Sequence, residues 1–232
     1  MRSFDYSKLK DRSWDSEILG YVAQIHEYKG RQQALLRQRA AELDKLVEIA
    51  KVQSTEASNE IEGIRTTNTR LKQLCADKTT PRNRDEKEIM GYRDVLNTIH
   101  ENYEYIPLRS NYILQLHRDL YQYSEKSIGG KFKNTQNYIS ATDGNGNTFV
   151  LFTPLPPYET PDAIGQICDS YNRVMDTQEI DPLILIPVFI HDFLCIHPFN
   201  DGNGPLADHL AALSQRVLCG KIYFTGKQDR PQ

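Results

Sequence analysis

Eight consecutive residues, His197-Pro-Phe-Asn-Asp201-Gly-Asn-Gly204, bring together a titratable imidazole, a carboxylate and two glycines. Histidine titrates near neutrality, so His197 suits removal of a proton from an attacking hydroxyl. Asp201 supplies hard oxygen donors of the kind that Mg²⁺ shares with phosphate oxygens. Gly202, Asn203 and Gly204 would stand at the N-terminus of a following helix, where backbone N–H groups and the helix dipole favour an anion. Phosphoryl-type transfer asks a protein mainly to position groups and neutralise charge, so this small set suffices for it. Pro205 and Asp208 then occupy positions where fixed positive charge would help. Taken one at a time, these residues fit a tight helix–helix loop with Asp201 as a cap. Together they point to phosphate chemistry.

The elements that must position this loop are mostly helical. Residues 15–50 read as helix, with Leu35, Leu36, Ala40, Leu43, Leu46 and Val47 recurring at three- and four-residue steps. A second helical segment covers about 52–64 and stops at Gly63. Thr79-Thr-Pro-Arg-Asn-Arg84 marks the boundary between an N-terminal helical extension, 1–80, and a core domain, 85–219. Within the core, helices are predicted over 85–103, 109–123, 161–176, 182–195 and about 205–219. Asp143-Gly-Asn-Gly146 between extended runs signals one β-hairpin at 137–153. Residues 220–232 read as a polar, disordered tail. The fold class is mainly α with one hairpin.

Composition narrows the function. A net charge of −3 over 232 residues gives no basic face for nucleic acid. Four cysteines without a CxxC pair fit reduced, mostly buried thiols in a cytoplasmic protein. Residues 1–20 are polar and charged, unlike a signal peptide. The apolar run Pro182–Ile196 is broken by His191 and Asp192, and reads as a core helix, with no membrane partner expected.

The eight-residue loop resembles the signature of Fic (filamentation induced by cAMP) domain proteins, whose pattern is HPFx[DE]GNGRxxR. The first eight positions match; the two arginines fall on Pro205 and Asp208. Leu116-His-Arg-Asp-Leu-Tyr121 and Gly130-Lys-Phe-Lys133 are similar to further family elements, and the hairpin stands where the family has its target-aligning flap. Ser58-Asn-Glu-Ile-Glu62-Gly63 is similar to the family's inhibitory pattern [ST]xxxE[GN], in which Ser58 and Glu62 share a helix face. The resemblance implies a Fic-type helical bundle and a protein adenylyltransferase. His197 would be the base, Asp201 the Mg²⁺ ligand, and Gly202, Asn203 and Gly204 the ATP-phosphate cradle. Ser58, Glu62 and Gly63 would form an inhibitory segment, and the 137–153 hairpin would dock an unknown target protein. A homo-oligomer is compatible with this. The inhibitory glutamate's arginine partner is Asp208 here, so that ion pair cannot form.

Two other readings stay open. Reading the back-translated sequence from Pro205 at an offset of one base permits R-L-L-T-T-L-L-L-Y-R, and the 220–230 stretch permits E-R-Y-I-S-L-E-N-K-I. Both fit a frameshift after Gly204, which would make this a degenerate Fic fold acting at most as a binding module. A metal hydrolase using His191, Asp192, His197, Asp201 and His209 lacks the paired spacing of known zinc helices. His191 and Asp192 are expected to pack inside the core instead.

Overall fold

The computed structural model describes residues 4–36, 40–125 and 128–225, with side chains at 32–36, 40–44 and 217–225 outside the description. Its element order is α1 Ser16–Leu36, α2 Ala40–Ile61, α3 Asn68–Cys75, α4 Arg84–Asn102, α5 Ser110–Leu120, β1 Ile139–Thr142, β2 Thr148–Phe152, α6 Thr160–Thr177, α7 Pro182–Ile196 and α8 Asn203–Thr225. This is the mainly helical fold with one hairpin that the sequence implies.

Local chemistry sets most boundaries. Asn83 caps α4 by accepting from the Glu86 N–H at 2.9 Å. Asp181 caps α7 by accepting from the Leu183 N–H at 2.9 Å, with Pro182 in the first turn where its missing N–H costs nothing. At the end of α2, Gly63 takes φ +75, and the Ile64 N–H returns to the Asn59 carbonyl at 2.8 Å. Glycine reaches that left-handed conformation without a Cβ penalty.

Helix α7 is apolar on nearly every side because it lies in the middle of the bundle, against α6 and α8. Leu185, Phe189, Phe193 and Ile196 on it are fully buried, as are Ile113 of α5 and Leu206 and Leu210 of α8. Helix α8 also packs on α4 and α2, which brings the N-terminal part of the chain to the start of α8. Arg70 ties α3 to the start of α4 through two bonds to Glu86, at 2.9 and 2.5 Å.

Several expected boundaries shift. The boundary expected near residue 51 is absent, since α2 runs unbroken from Ala40 to Ile61; residues 37–39 lie outside the described residues. Leu46 is 57% exposed, so the 15–50 stripe faces solvent at that point. Helix α3 lacks a long apolar period and was not anticipated. Helix α8 starts at Asn203, two residues earlier than expected, because the glycine loop itself forms its first turn. Its backbone continues to Thr225, into the segment read as a disordered tail; residues 226–232 lie outside the described residues.

The hairpin pairs Ser140 with Val150 and Thr142 with Thr148, with an irregularity between Ile139 and Ser140. Asp143 Oδ1 accepts from the Asn145 and Asn147 N–H groups at 2.9 Å, closing the turn. Every residue of β2 is exposed.

Candidate functional site

The 197–204 loop joins the buried end of α7 to the start of α8. His197 ends α7 in the left-handed region, φ 51 and ψ 64, while its N–H still bonds the Phe193 carbonyl at 2.9 Å. Histidine is among the few non-glycine residues enriched there. That conformation turns the chain sharply and leaves the imidazole half-buried.

The imidazole is a neutral base. Its Nδ1 is shut from solvent, close to the Leu194 carbonyl, which leaves Nε2 as the nitrogen to meet a substrate hydroxyl. Burial pushes its pKa below the ordinary 6.5; the Leu194 carbonyl opposes this and nearby Lys133 adds to it. Lys133 is itself buried, donating from Nζ to the Ile196 carbonyl and to Asn137 Oδ1, each at 3.0 Å. Desolvation lowers it to about 8.

Asn203 holds the loop closed. Its side chain, only 3% exposed, accepts from the Phe199 N–H at 2.9 Å and donates to the Phe199 carbonyl at 2.8 Å. The sequence reading gave this side chain to the phosphates. The structure turns it inward, which leaves the Asn203 backbone for any ligand. Phe199 anchors the loop in the core, stacked on His117 with ring centroids 3.7 Å apart. His117 bonds the Asp201 carbonyl through Nε2 at 3.0 Å and accepts from the Gly130 N–H through Nδ1 at 3.0 Å. Those two partners fix its neutral tautomer, and burial lowers it to about 4.

Asp201 is half-buried, with Oδ1 accepting from the Gly202 N–H at 2.9 Å. The Tyr121 hydroxyl also reaches its carboxylate, and burial followed by the Asp201 charge raises the phenol pKa. Gly202 has φ +80, and a Cβ there would come within 2.8 Å of the Tyr121 ring. Only glycine fits this approach. Among the described residues no group of three or more His, Cys, Asp or Glu side chains could hold a metal ion. A single carboxylate beside the amides of a helix start is a donor set that suits Mg²⁺, which takes most of its ligands from substrate phosphate and water.

The segment containing Ser58, Glu62 and Gly63 arrives at this loop. Ser58 Oγ donates to Asp208 Oδ2 at 2.5 Å. The Glu62 carboxyl lies against Gly204, where a Cβ on the glycine would overlap Oε1. Burial first, and then Asp201, Asp208 and Glu88, raise its pKa. Arg84 is near enough to feel Asp201 but is held by Glu88, Nε to Oε1 at 2.7 Å.

Thus the structure assembles His197, Asp201, Gly202, Gly204, Ser58 and Glu62 in one place. It separates the remaining candidates. His191 is 70% exposed by side chain, contrary to the expected core position, because its place on α7 faces outward. Asp192 is buried as expected. His209 is fully buried, bonded to the Tyr92 carbonyl at 3.0 Å, and lowered to about 4 by burial. The positioning roles of His117, Tyr121 and Lys133 were missed, although those residues lie in segments that carried the family resemblance. No helix among the described residues is long and apolar enough to cross a membrane.

Comparison with known proteins agrees with this fold. Residues 107–214 match the model of the Fic/DOC family. A Fic domain containing signaling protein from Bacteroides thetaiotaomicron is 25% identical, with a TM-score of 0.70 over 83% of this chain and 71% of its own. A Fic family protein from Desulfovibrio desulfuricans is 19% identical, with a TM-score of 0.67 over 89% of this chain and 59% of its own. Fic-1 from C. elegans is 18% identical, with a TM-score of 0.63 over 86% of this chain and 60% of its own. The last two are likenesses of fold, and the chain spans less than two thirds of their length. No curated protein matches the sequence.

Proposed function

We propose that this chain, which carries a Fic/DOC-family domain over residues 107–214, is a protein adenylyltransferase attenuated by its own sequence at Pro205 and Asp208. It moves AMP from Mg²⁺-ATP to a serine, threonine or tyrosine hydroxyl of a target protein. The observation that carries this reading is the braced 197–204 loop, in which a neutral imidazole and a glycine cradle are held by Asn203, His117 and Lys133.

His197 accepts the hydroxyl proton at Nε2. The freed oxygen attacks the α-phosphorus, and pyrophosphate leaves. The amides at the start of α8 and the helix dipole stabilise the phosphate charge. Asp201 would hold Mg²⁺, which neutralises charge on the phosphate chain when bound. The target segment is read along the 137–153 hairpin, where each strand of a two-stranded sheet keeps an outer edge able to pair. Phe149, Val150 and Leu151 stand exposed there, 49–61%, as apolar contacts for that segment. Glu62 competes with the nucleotide for the start of α8.

The attenuation has two sources. A guanidinium binds phosphate through two parallel hydrogen bonds, and proline offers neither those nor a backbone N–H. At the second position, a carboxylate replaces a cation. Intact mass after incubation with Mg²⁺ and ATP tests the reading, beside His197→Ala. A small fraction of chain gaining one AMP, absent in the variant, is expected. Equal, unchanged masses with and without added candidate targets would leave the second reading, a degenerate Fic fold that binds without transfer. That reading is favoured by the same two replacements.

A further inference from the structure

We infer that the outer face of α1 is a self-association surface, on which the same helix of a second copy of this chain packs antiparallel.

Four large apolar side chains on α1 stand in solvent: Ile18, Tyr21, Ile25 and Tyr28, each 37–63% exposed. Their steps are three, four and three residues. That is the a and d spacing of a two-helix seam, and it sets all four on one line along the helix. Single exposed apolar residues are ordinary, whereas a continuous line of them marks a contact surface. Tyrosine is also enriched in such contacts. The chain's own body holds α1 from another side. His26 Nε2 meets Asp181 Oδ2 at 2.7 Å, roughly 120° round the helix from the line. Val22 and Lys29, between the two, are half-buried.

The flanking charges identify the occupant. With Ile18 at position a, Glu17, Gln24 and Arg31 fall on position g, the edge turned away from the body. In an antiparallel pair of identical helices, Ile18 packs on the partner's Tyr28 and Tyr21 on the partner's Ile25. That register sets Glu17 opposite the partner's Arg31, and Arg31 opposite the partner's Glu17. Gln24 meets the partner's Gln24. Both charged contacts are attractive, and one two-fold axis near residue 23 relates them. A parallel pair in register instead puts Glu17 beside the partner's Val22 and Gln24 beside the partner's Lys29, so no opposite charges meet. Acid at one end of the helix and base at the other therefore make this face complementary to itself, in one orientation.

Within one chain, Glu17 accepts from the Tyr21 hydroxyl at 2.8 Å and Arg31 pairs with Glu27 at 2.5 Å. Both are exposed contacts four residues apart, and such contacts are worth little. They leave the two side chains available to a partner. A seam of two heptads is short, so the dimer is reversible and depends on concentration.

Sedimentation equilibrium on the full chain tests this. The native chain is expected to shift from monomer toward twice its mass, with a dissociation constant on the order of micromolar or weaker. Ile25→Asp places a charge in a central layer and is expected to abolish the dimer. Glu17→Arg and Arg31→Glu each set like charges together at two symmetric places, and each alone is expected to weaken the dimer by ~10-fold. Mixing those two variants, or combining both changes in one chain, is expected to restore the native affinity. All three side chains are exposed, and thermal melting establishes that each variant is folded. A native chain that stays monomeric up to ~1 mM overturns the inference. A dimer indifferent to Ile25→Asp is formed by another face and overturns it too. Charge reversals without effect, or without recovery on mixing, contradict the antiparallel register.

Discussion

Asn203→Ala removes the side chain that clamps the 197–204 loop, and the structure fixes what that costs. The Phe199 N–H loses its acceptor at 2.9 Å on a residue that is fully buried. An orphaned buried donor costs ~1–3 kcal/mol. The Phe199 carbonyl loses its bond to Asn203 at 2.8 Å but keeps the Asn137 Nδ2 donor at 3.0 Å. That loss is worth ~0.5–1.5 kcal/mol, the net value of one satisfied bond. Together the change costs about 2–4 kcal/mol, a large share of the ~5–15 kcal/mol that holds a domain folded. For a chain of this length Tm falls by ~2–4 °C per kcal/mol, so a drop of roughly 5–15 °C is expected in thermal denaturation. The loop also loosens around His197, whose burial holds its pKa below 6.5. NMR titration of the imidazole should show that pKa climbing toward the ordinary value in the variant. A Tm within ~1 °C of native would refute the clamp, because measured core hydrogen bonds are worth more than that. So would an unchanged His197 titration.

Other perturbations have signs set by the same structure. Ser58→Ala deprives Asp208 of its donor and is expected to cost ~1 kcal/mol, with faster amide exchange in the second half of α2. Glu62 has a raised pKa, so its native carboxyl binds a proton more tightly than the unfolded one, and stability falls as pH rises above about 4.5. Glu62→Gln is therefore expected to be more stable than native at pH 7, with the gain fading below about 4.5 in urea titrations. Glu86 behaves oppositely. Arg70 holds its carboxyl at about 2 against burial, so the contribution of this pair is present above about 4.5 and is lost as pH falls toward 2. Arg70→Ala should flatten that acid limb.

What was legible in the sequence was contiguous. The 197–204 loop shows its chemistry in eight neighbouring residues, and Asp143-Gly-Asn-Gly146 shows its turn because the turn is made by its own side chain. The stop at Gly63 was legible for the same reason. The bracing of the site was not. His117 reaches the Asp201 carbonyl across 84 residues, and no local pattern separates a buried, neutral histidine from a surface one. Asn203 was misassigned because its identity suits a phosphate donor and an internal clamp equally; only burial decides. His191 and Asp192 are adjacent in an apolar run, yet helical geometry puts one outside and one inside. Periodicity over 15–50 marked a helix, but it carries no information about whether another element covers the apolar stripe, and Leu46 is left exposed. At the other end, Leu206, Leu210 and Leu213 keep α8 buried against the bundle. An out-of-frame reading of residues 205–232 and a packed α8 are therefore compatible, since a leucine-rich stripe packs whatever its origin.

The central claim is that a formed Fic-type loop is held back by Pro205 and Asp208. Its most direct test is the rate of AMP addition from Mg²⁺-ATP by the double variant Pro205→Arg with Asp208→Arg, followed by intact mass. The account expects a clear gain over the native chain, abolished when His197→Ala is added. A double variant that binds ATP, stays folded and adds no more AMP than the native chain would contradict it.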